Sequence, residues 1–275
     1  MIELPEAGSL AQQLNETIAG KRIINVTAAQ HPHKFAWYYG DPQSYHGLLH
    51  DKVISKTVSH GGLIEIMVDD ACILFGDGVN LSYYKEGEKR PVKHQLHIEF
   101  EDHSSIIASV QMYGGLFAYP AGQNVNPYYL TAKEKTNPLS QSFDEAYFNN
   151  VISQSIKGLS LKAFLAAEQR IPGLGNGVLQ DILFNAKLHP KKKLNTLTDS
   201  EVQALFCSIK TTLAEMAVNR GRDTERDLFG CSGGYKTILS KNTLDKPCST
   251  CEGAIKKEAY MGGSIYFCPT CQKLL

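Results

Sequence analysis

The sequence predicts an α+β protein: an N-terminal helix and an antiparallel β-sandwich or barrel, then a helical domain and a C-terminal cysteine-bearing module. Three observations carry this reading. Short β-rich runs fill residues 22–119, apolar residues recur at helical spacing over 143–218, and four paired cysteines lie near the end.

The first helix follows from Leu10, Leu14 and Ile18, which share one face with Ala7 and Ala11 alongside before Gly20 stops the pattern. The runs RIINVTA, KVISKTVSH, LIEIMV, CILFG, NLSYY, HQLHIEF and SSIIASVQMYG come next, separated by Gly, Asp and Pro as strands of one sheet system are. PAGQNVNPYYLTAKEKTNPLS breaks the periodicity with three prolines. Helical spacing returns in FDEAYFNNVI, SLKAFLAAEQRI, NGVLQDILFNAKL and DSEVQALFCSIKTTLAEMAV, the last with Ser200 or Asp199 as its N-cap. The resulting division is 1–130 for the helix and sandwich, 131–142 for a linker, 143–230 for the helical domain and 231–275 for a loop and hairpin.

A chain of 275 residues can bury two modest cores. It has 43% hydrophobic and 20% charged residues, and no stretch approaches the roughly 20 apolar residues that span a bilayer. MIELPEAGSL lacks the basic flank and apolar run of a signal peptide, so the expected compartment is the cytoplasm, with nucleoid association in a bacterium. Zero net charge excludes a strong, indiscriminate polyanion binder. The average hides an asymmetry: residues 1–139 carry 11 Lys and Arg against 15 Asp and Glu, and residues 140–275 carry 17 against 13. A nucleic-acid footprint would lie mainly on the second half.

Seven cysteines, odd in number and unevenly placed, make a poor disulfide framework. Cys72 in ACILF and Cys207 in ALFCSI read as small core residues, and Cys231 has no evident partner. Cys248, Cys251, Cys268 and Cys271 form two CxxC pairs separated by 16 residues. Each pair presents two thiolates from one knuckle, and four thiolates complete a tetrahedral site for one structural Zn²⁺ in a ribbon.

RIPGLGNGVLQDILF lacks the Lys-Ser/Thr ending of a nucleotide loop, and a helix precedes it rather than a strand. It reads as helix, tight glycine turn, helix. The turn around Gly173 and Gly175 offers backbone N–H groups as a seat for a phosphate, with Asn176 as an added donor. NRGRDTERDLFG packs Arg220, Arg222 and Arg226 among Asp223, Glu225 and Asp227, either as a self-paired network or as a site. HPHKFAWYYG, with His31, His33, Trp37 and Tyr38, shows no metal-ligand pattern and reads as packing.

MIELPEA, FLAAEQRIPGLGNGVLQDILFNAKLHP and the terminal CxxC pairs together resemble the formamidopyrimidine-DNA glycosylase and endonuclease VIII family, over nearly the whole chain. The resemblance implies a β-sandwich, a helix-two-turn-helix domain, a zinc ribbon and a DNA cleft between the two main parts. In that family the initiator methionine is removed, and the exposed proline amine attacks C1′ of a damaged nucleotide flipped from the duplex. Glu3, Leu4, Pro5 and Glu6 match the motif, with Glu3 and Glu6 in proton-transfer roles, but Ile2 replaces the proline. The nucleophilic amine would then belong to Met1, since a bulky second residue blocks methionine removal, or to Ile2 if processing occurs.

Other positions of the resemblance divide in the same way. Lys162 and Asn176 match residues that hold the DNA backbone, and Met112 and Tyr113 align with residues that fill the gap left by a flipped base. Asp181 stands for a family glutamate. Gly62 replaces a strand lysine, Gly263 replaces a phosphate-gripping arginine, and the turn FGDGVN lacks a wedge methionine. The resemblance implies a monomeric DNA-binding repair protein for oxidised or abasic duplexes, with N-glycosylase and abasic-site lyase activity. The alternative is a catalytically inactive relative that binds DNA or RNA.

Overall fold

The computed structural model describes residues 1–76 and 78–274. Helix α1 (Leu4–Ile18) opens with Pro5 in its first turn, and the Glu3 N–H donates to Glu6 Oε2 at 3.2 Å. Two sheets follow. Strands β1 (Ile23–Ala28), β6 (Val79–Tyr84), β7 (Leu96–Phe100) and β8 (Ser105–Val110) form a four-stranded antiparallel sheet in the order β1-β7-β8-β6. The second sheet runs β2 (Ala36–Trp37), β9 (Gly114–Pro120), β5 (Ala71–Phe75), β4 (Leu63–Val68) and β3 (Ile54–His60), with β2 parallel to β9 and the rest antiparallel. A short helix, α2 (Tyr45–Leu49), lies between β2 and β3.

One core joins the sheets to the buried face of α1: Leu10, Leu14 and Ile18 meet Ile23, Ile66, Phe75, Leu81, Phe100 and Ile106. The expected sandwich is therefore present. The seven β-rich runs each contain a strand; β2 and β9 lie outside them, β2 because two residues show no periodicity and β9 because GGLFAYP opens on two glycines and closes on a proline, which read as turn. The proline-rich stretch is also more ordered than its composition suggests. It holds α3 (Pro127–Glu134), started by Pro127 and capped by Asn126, whose side chain accepts the Tyr128 N–H at 2.9 Å.

Helices α4 (Glu145–Ser153), α5 (Leu161–Ala166), α6 (Val178–Asn185) and α7 (Asp199–Val218) enclose a second core, in which Phe148, Phe164, Leu179, Ile182, Leu205 and Leu213 are buried. The N-cap of α7 is Thr198 rather than Ser200 or Asp199. Its hydroxyl accepts from the Glu201 N–H while Glu201 accepts the Thr198 N–H, a reciprocal box that neither alternative completes. Cys72 is buried as expected, but Cys207 lies on the exposed side of α7.

Strands β10 (Lys256–Tyr260) and β11 (Gly263–Phe267) pair as the terminal hairpin. Gln272, fully buried, fastens it to the helices by accepting the Cys268 N–H at 3.0 Å and donating to the Leu188 carbonyl at 2.9 Å. Among the described residues, no helix is long and apolar enough to cross a membrane.

Candidate functional site

A cleft of about 760 Å³ opens where the sandwich, the helical layer and the hairpin meet. Met1, Ile2 and Glu3 line it from the chain start, and Gly62, Met112 and Tyr113 from the sandwich. Lys162, Gly173, Gly175 and Asn176 face it from the helical layer, and Gly263 from the hairpin. Segments from opposite ends of the chain thus share one wall. Glu6 does not line this cleft and is buried behind it.

The glycine turn preceding α6 does hold an acidic group, and that group is internal. Glu3 Oε1 accepts the Gly177 N–H at 2.8 Å, while its Oε2 accepts those of Val178 at 2.8 Å and Gly175 at 3.3 Å. The Gly173 N–H is also satisfied, by Gln169 Oε1 at 3.0 Å. Gly173 and Gly175 therefore shape the cleft wall while their N–H groups point inward. Gly173 adopts a φ of +78°, and a Cβ there would lie 2.6 Å from the Gly61 carbonyl carbon, so sandwich and turn touch backbone to backbone. Burial raises the Glu3 carboxyl above its ordinary range, against the opposing pull of Arg222.

Glu6 is bound tightly by the loop after α7. Its Oε1 accepts from the Arg222 backbone N–H and Nε, each at 3.0 Å, and its Oε2 accepts from Nη2 at 2.9 Å. Burial alone would raise this carboxyl, but the guanidinium outweighs burial and holds it below the usual range. Arg222 also lies 3.6 Å from Glu3 and donates to the Met1 carbonyl at 3.2 Å. Of the two readings for the charged loop, Arg222 fits an ion-pair network, but one shared with α1 rather than confined to the loop.

Ile2 is 6% exposed and belongs to the sandwich core, so the residue in the proline position serves as an apolar anchor. The Met1 amino group is ion-paired with Glu225, and the Met1 sulfur lies 3.7 Å from the Tyr113 hydroxyl. Lys162 and Asn176 both reach the hairpin: Lys162 Nζ donates to the Tyr260 carbonyl at 2.5 Å, and Asn176 Nδ2 to the Ser264 carbonyl at 3.0 Å. A Cβ on Gly263 would lie 3.4 Å from Lys162 Nζ and 3.6 Å from Asn176 Nδ2. The three positions converge on one spot of the cleft wall.

Asp181 is fully buried behind that wall. It accepts the Ile238 and Leu239 N–H groups at 2.9 and 2.8 Å, and burial pushes it up to about 6. Asp77, in the turn FGDGVN, lies outside the described residues. Sequence reasoning missed Arg222 and Glu225 as individuals, because alternating charges hide which member turns inward. Trp37, read from the sequence as packing, stands beside Tyr113 with ring centroids 5.8 Å apart.

Cys248, Cys251, Cys268 and Cys271 bring their sulfurs within 4.8 Å of one another, so the hairpin base could hold one metal ion. Cys248 and Cys268 are buried, against Phe184 and Leu239.

A sandwich and a helical layer closing on a cleft that contains the chain start, beside a four-cysteine hairpin, is an architecture shared by a class of DNA-repair glycosylases. Residues 135–228 match the model of the formamidopyrimidine-DNA glycosylase H2TH domain. Formamidopyrimidine-DNA glycosylases of Histophilus somni (strain 2336) and Lactococcus lactis subsp. lactis are 29% and 28% identical, each match covering 99% of this chain and 100% of the relative. A solved complex between the Lactococcus lactis Fpg and an abasic site containing DNA superposes with a TM-score of 0.84 at 26% identity, over 98% of this chain and 99% of that one. The MutM (Fpg) protein from Thermus thermophilus, at 21% identity over 98% of each chain and a TM-score of 0.82, shares the fold. Over nearly its whole length the chain is similar to formamidopyrimidine-DNA glycosylases, and residues 135–228 carry their H2TH domain.

Proposed function

We propose that this protein binds double-stranded DNA and seats a damaged or abasic nucleotide in the cleft. The observation that carries this reading is the convergence of chain start, sandwich turn, glycine turn and hairpin on one cavity, in a chain similar to the Lactococcus lactis Fpg solved with abasic-site DNA. Lys162 and Asn176 each spend one donor on the hairpin and retain others, so both can hold the hairpin and meet a phosphate. Tyr113 offers an aromatic face at the rim.

The cysteine cluster suits one structural Zn²⁺. With Zn–S bonds of about 2.3 Å, tetrahedral thiolates sit roughly 3.8 Å apart. The Cys248–Cys271 and Cys251–Cys268 sulfurs are separated by 3.8 and 3.4 Å. Bound zinc would hold both knuckles and so keep Gly263 and its neighbours against Lys162 and Asn176.

A second reading adds N-glycosylase and lyase chemistry, favoured by the placement of Met1 and Glu3 on the same cleft. With Met1 as first residue, its amine is the nucleophile and Glu225 the adjacent proton acceptor. Glu3, with its raised carboxyl, is the group suited to return a proton. Glu6 is committed to Arg222 and serves to position α1.

Both readings are tested on duplexes with and without an abasic site. Binding should fall steeply with salt, by about 0.9 logarithmic units per logarithmic unit for each phosphate neutralised. Failure to bind any duplex at low salt refutes the DNA reading, and preference for RNA of the same length redirects it. Borohydride trapping combined with intact-mass analysis tests the chemistry: an adduct on the N-terminal peptide supports it. A retained Met1 with no adduct removes the lyase, and a base-release assay then decides the glycosylase.

A further inference from the structure

Nine histidines are spread over the chain, and two of them stand apart by what their ring nitrogens lack. Among the described residues, His31 Nδ1 and His94 Nε2 are buried with no hydrogen-bond partner. The two rings are neighbours, their centroids 5.8 Å apart and their planes tilted by 57°. They meet where one strand pairing runs on past its end. Ala28 of β1 lies opposite Leu96 of β7, the Ala29 N–H donates to the Gln95 carbonyl at 2.7 Å, and Gln95 Nε2 donates to the His31 carbonyl at 3.2 Å. His94 is only 8% exposed, so its ring is held by the fold.

Hydrogen bonding fixes the tautomer of His94. Its Nδ1 lies 3.1 Å from the Pro91 carbonyl, which only accepts, so Nδ1 carries the proton and Nε2 keeps a bare lone pair. A ring N–H set on a backbone carbonyl is also how metal-ligating histidines are oriented. His31 offers the same kind of lone pair from Nδ1 when its proton sits on Nε2. Two buried lone pairs without a donor are unfavourable, and an electron-pair acceptor shared by both rings would satisfy them together.

We propose that His31 and His94 form an open two-imidazole site for a divalent transition-metal ion of the Ni²⁺, Cu²⁺ or Zn²⁺ type, separate from the four cysteines. With metal–nitrogen bonds of about 2.0–2.1 Å, two imidazoles on one ion have ring centroids roughly 5–6 Å apart. The observed 5.8 Å falls within that interval. Imidazole nitrogens select such ions over Mg²⁺ and Ca²⁺, which take oxygen ligands. Water completes the shell, because the neighbouring His97 is already engaged: its Nε2 accepts from Arg90 Nη1 at 3.3 Å. The His46–His50 pair, with centroids 4.8 Å apart, makes a poorer site. His46 Nδ1 accepts the Val26 N–H at 3.3 Å, which leaves the proton on Nε2 and no lone pair free. An ion on His31 and His94 would tie the loop entering β2 to the stretch before β7.

The zinc-loaded full-length chain is titrated with Ni²⁺ by calorimetry, with zinc content and amide exchange followed on the same samples. A single Ni²⁺ should bind without releasing zinc, and exchange should slow across residues 29–35 and 93–96. His31→Gln and His94→Gln should each weaken that binding by at least about tenfold, while His33→Gln and His46→Gln leave it unchanged. His31 is partly exposed on a loop, so its variant keeps the question open to measurement even if His94→Gln loses the fold. No bound Ni²⁺, uptake only in exchange for zinc, full affinity in His31→Gln, or loss in His46→Gln would overturn the site. None of these outcomes bears on the DNA reading, which is tested separately.

Discussion

Arg222 closes a fork on Glu6, Nε 3.0 Å from Oε1 and Nη2 2.9 Å from Oε2, with both side chains buried. The pair ties the first turn of α1 to the loop after α7. Because Glu3 stands on the neighbouring turn of chain and holds the start of α6, this buried network joins the two cores at the cleft floor.

Removing the cation strands two carboxylates in a site that water does not reach. Arg222→Met should cost about 3–5 kcal/mol in urea unfolding, the range for breaking a buried pair from one side. Glu6→Gln combined with Arg222→Met should recover part of that loss, since it removes one stranded charge. A single variant with wild-type stability would show that the fork contributes nothing to the fold.

Gly263 leaves open a spot flanked by Lys162 and Asn176. No backbone strain opposes a side chain there, and the nearest atom, at 3.4 Å, is the flexible end of a lysine. Gly263→Arg should therefore be tolerated and should add a phosphate contact. Duplex affinity should rise, and the salt slope should steepen by about one unit, as read by anisotropy over a salt series. An unchanged slope would mean that this part of the hairpin does not face the DNA backbone.

The sequence made the repetitive features visible and hid the meetings between distant segments. Helical spacing revealed α1 and α4 to α7, alternation revealed most strands, and CxxC spacing revealed the cysteine cluster, because each pattern is local. β9 was hidden by its opening glycines and closing proline, and α3 by the prolines, although Asn126–Pro127 is a start signal. The glycine turn was legible as an anion seat. That Glu3 fills it was not, because the partners lie 174 residues apart. Arg222 looked no different from Arg220 and Arg226 until the fold buried it alone.

Metal removal should act on the hairpin before the cores. Cys248 and Cys268 pack with Phe184 and Leu239 in a small cluster separate from the two main cores. Chelation, or Cys251→Ser, should abolish bound zinc and weaken duplex binding at least about tenfold, with far-ultraviolet circular dichroism largely retained. Atomic absorption and anisotropy on the same preparation check this. Full duplex affinity in a metal-free sample would separate the hairpin from DNA binding.

Glu65 supplies a test at acid pH far from the fork. It is buried on β4, 2.9 Å from His60 Nε2 and 2.5 Å from the Tyr129 hydroxyl, with Lys133 Nζ at 3.5 Å. Burial would raise its carboxyl, but the hydrogen bonds from His60 and Tyr129 and the Lys133 charge outweigh that effect and hold it at about 2. An unfolded glutamate titrates near about 4.3, so the folded state favours the charged form. The stabilisation is fully present above that pH and is lost as pH falls towards about 2. Glu65→Gln should therefore be less stable than wild type at neutral pH, with a gap that closes as pH falls between roughly 4.3 and 2. Since Tyr129 and Lys133 lie on α3, the same substitution should loosen that helix from the sheet, seen as faster amide exchange across residues 127–134. A stability gap that does not change with pH would show that the Glu65 charge plays no part in holding α3.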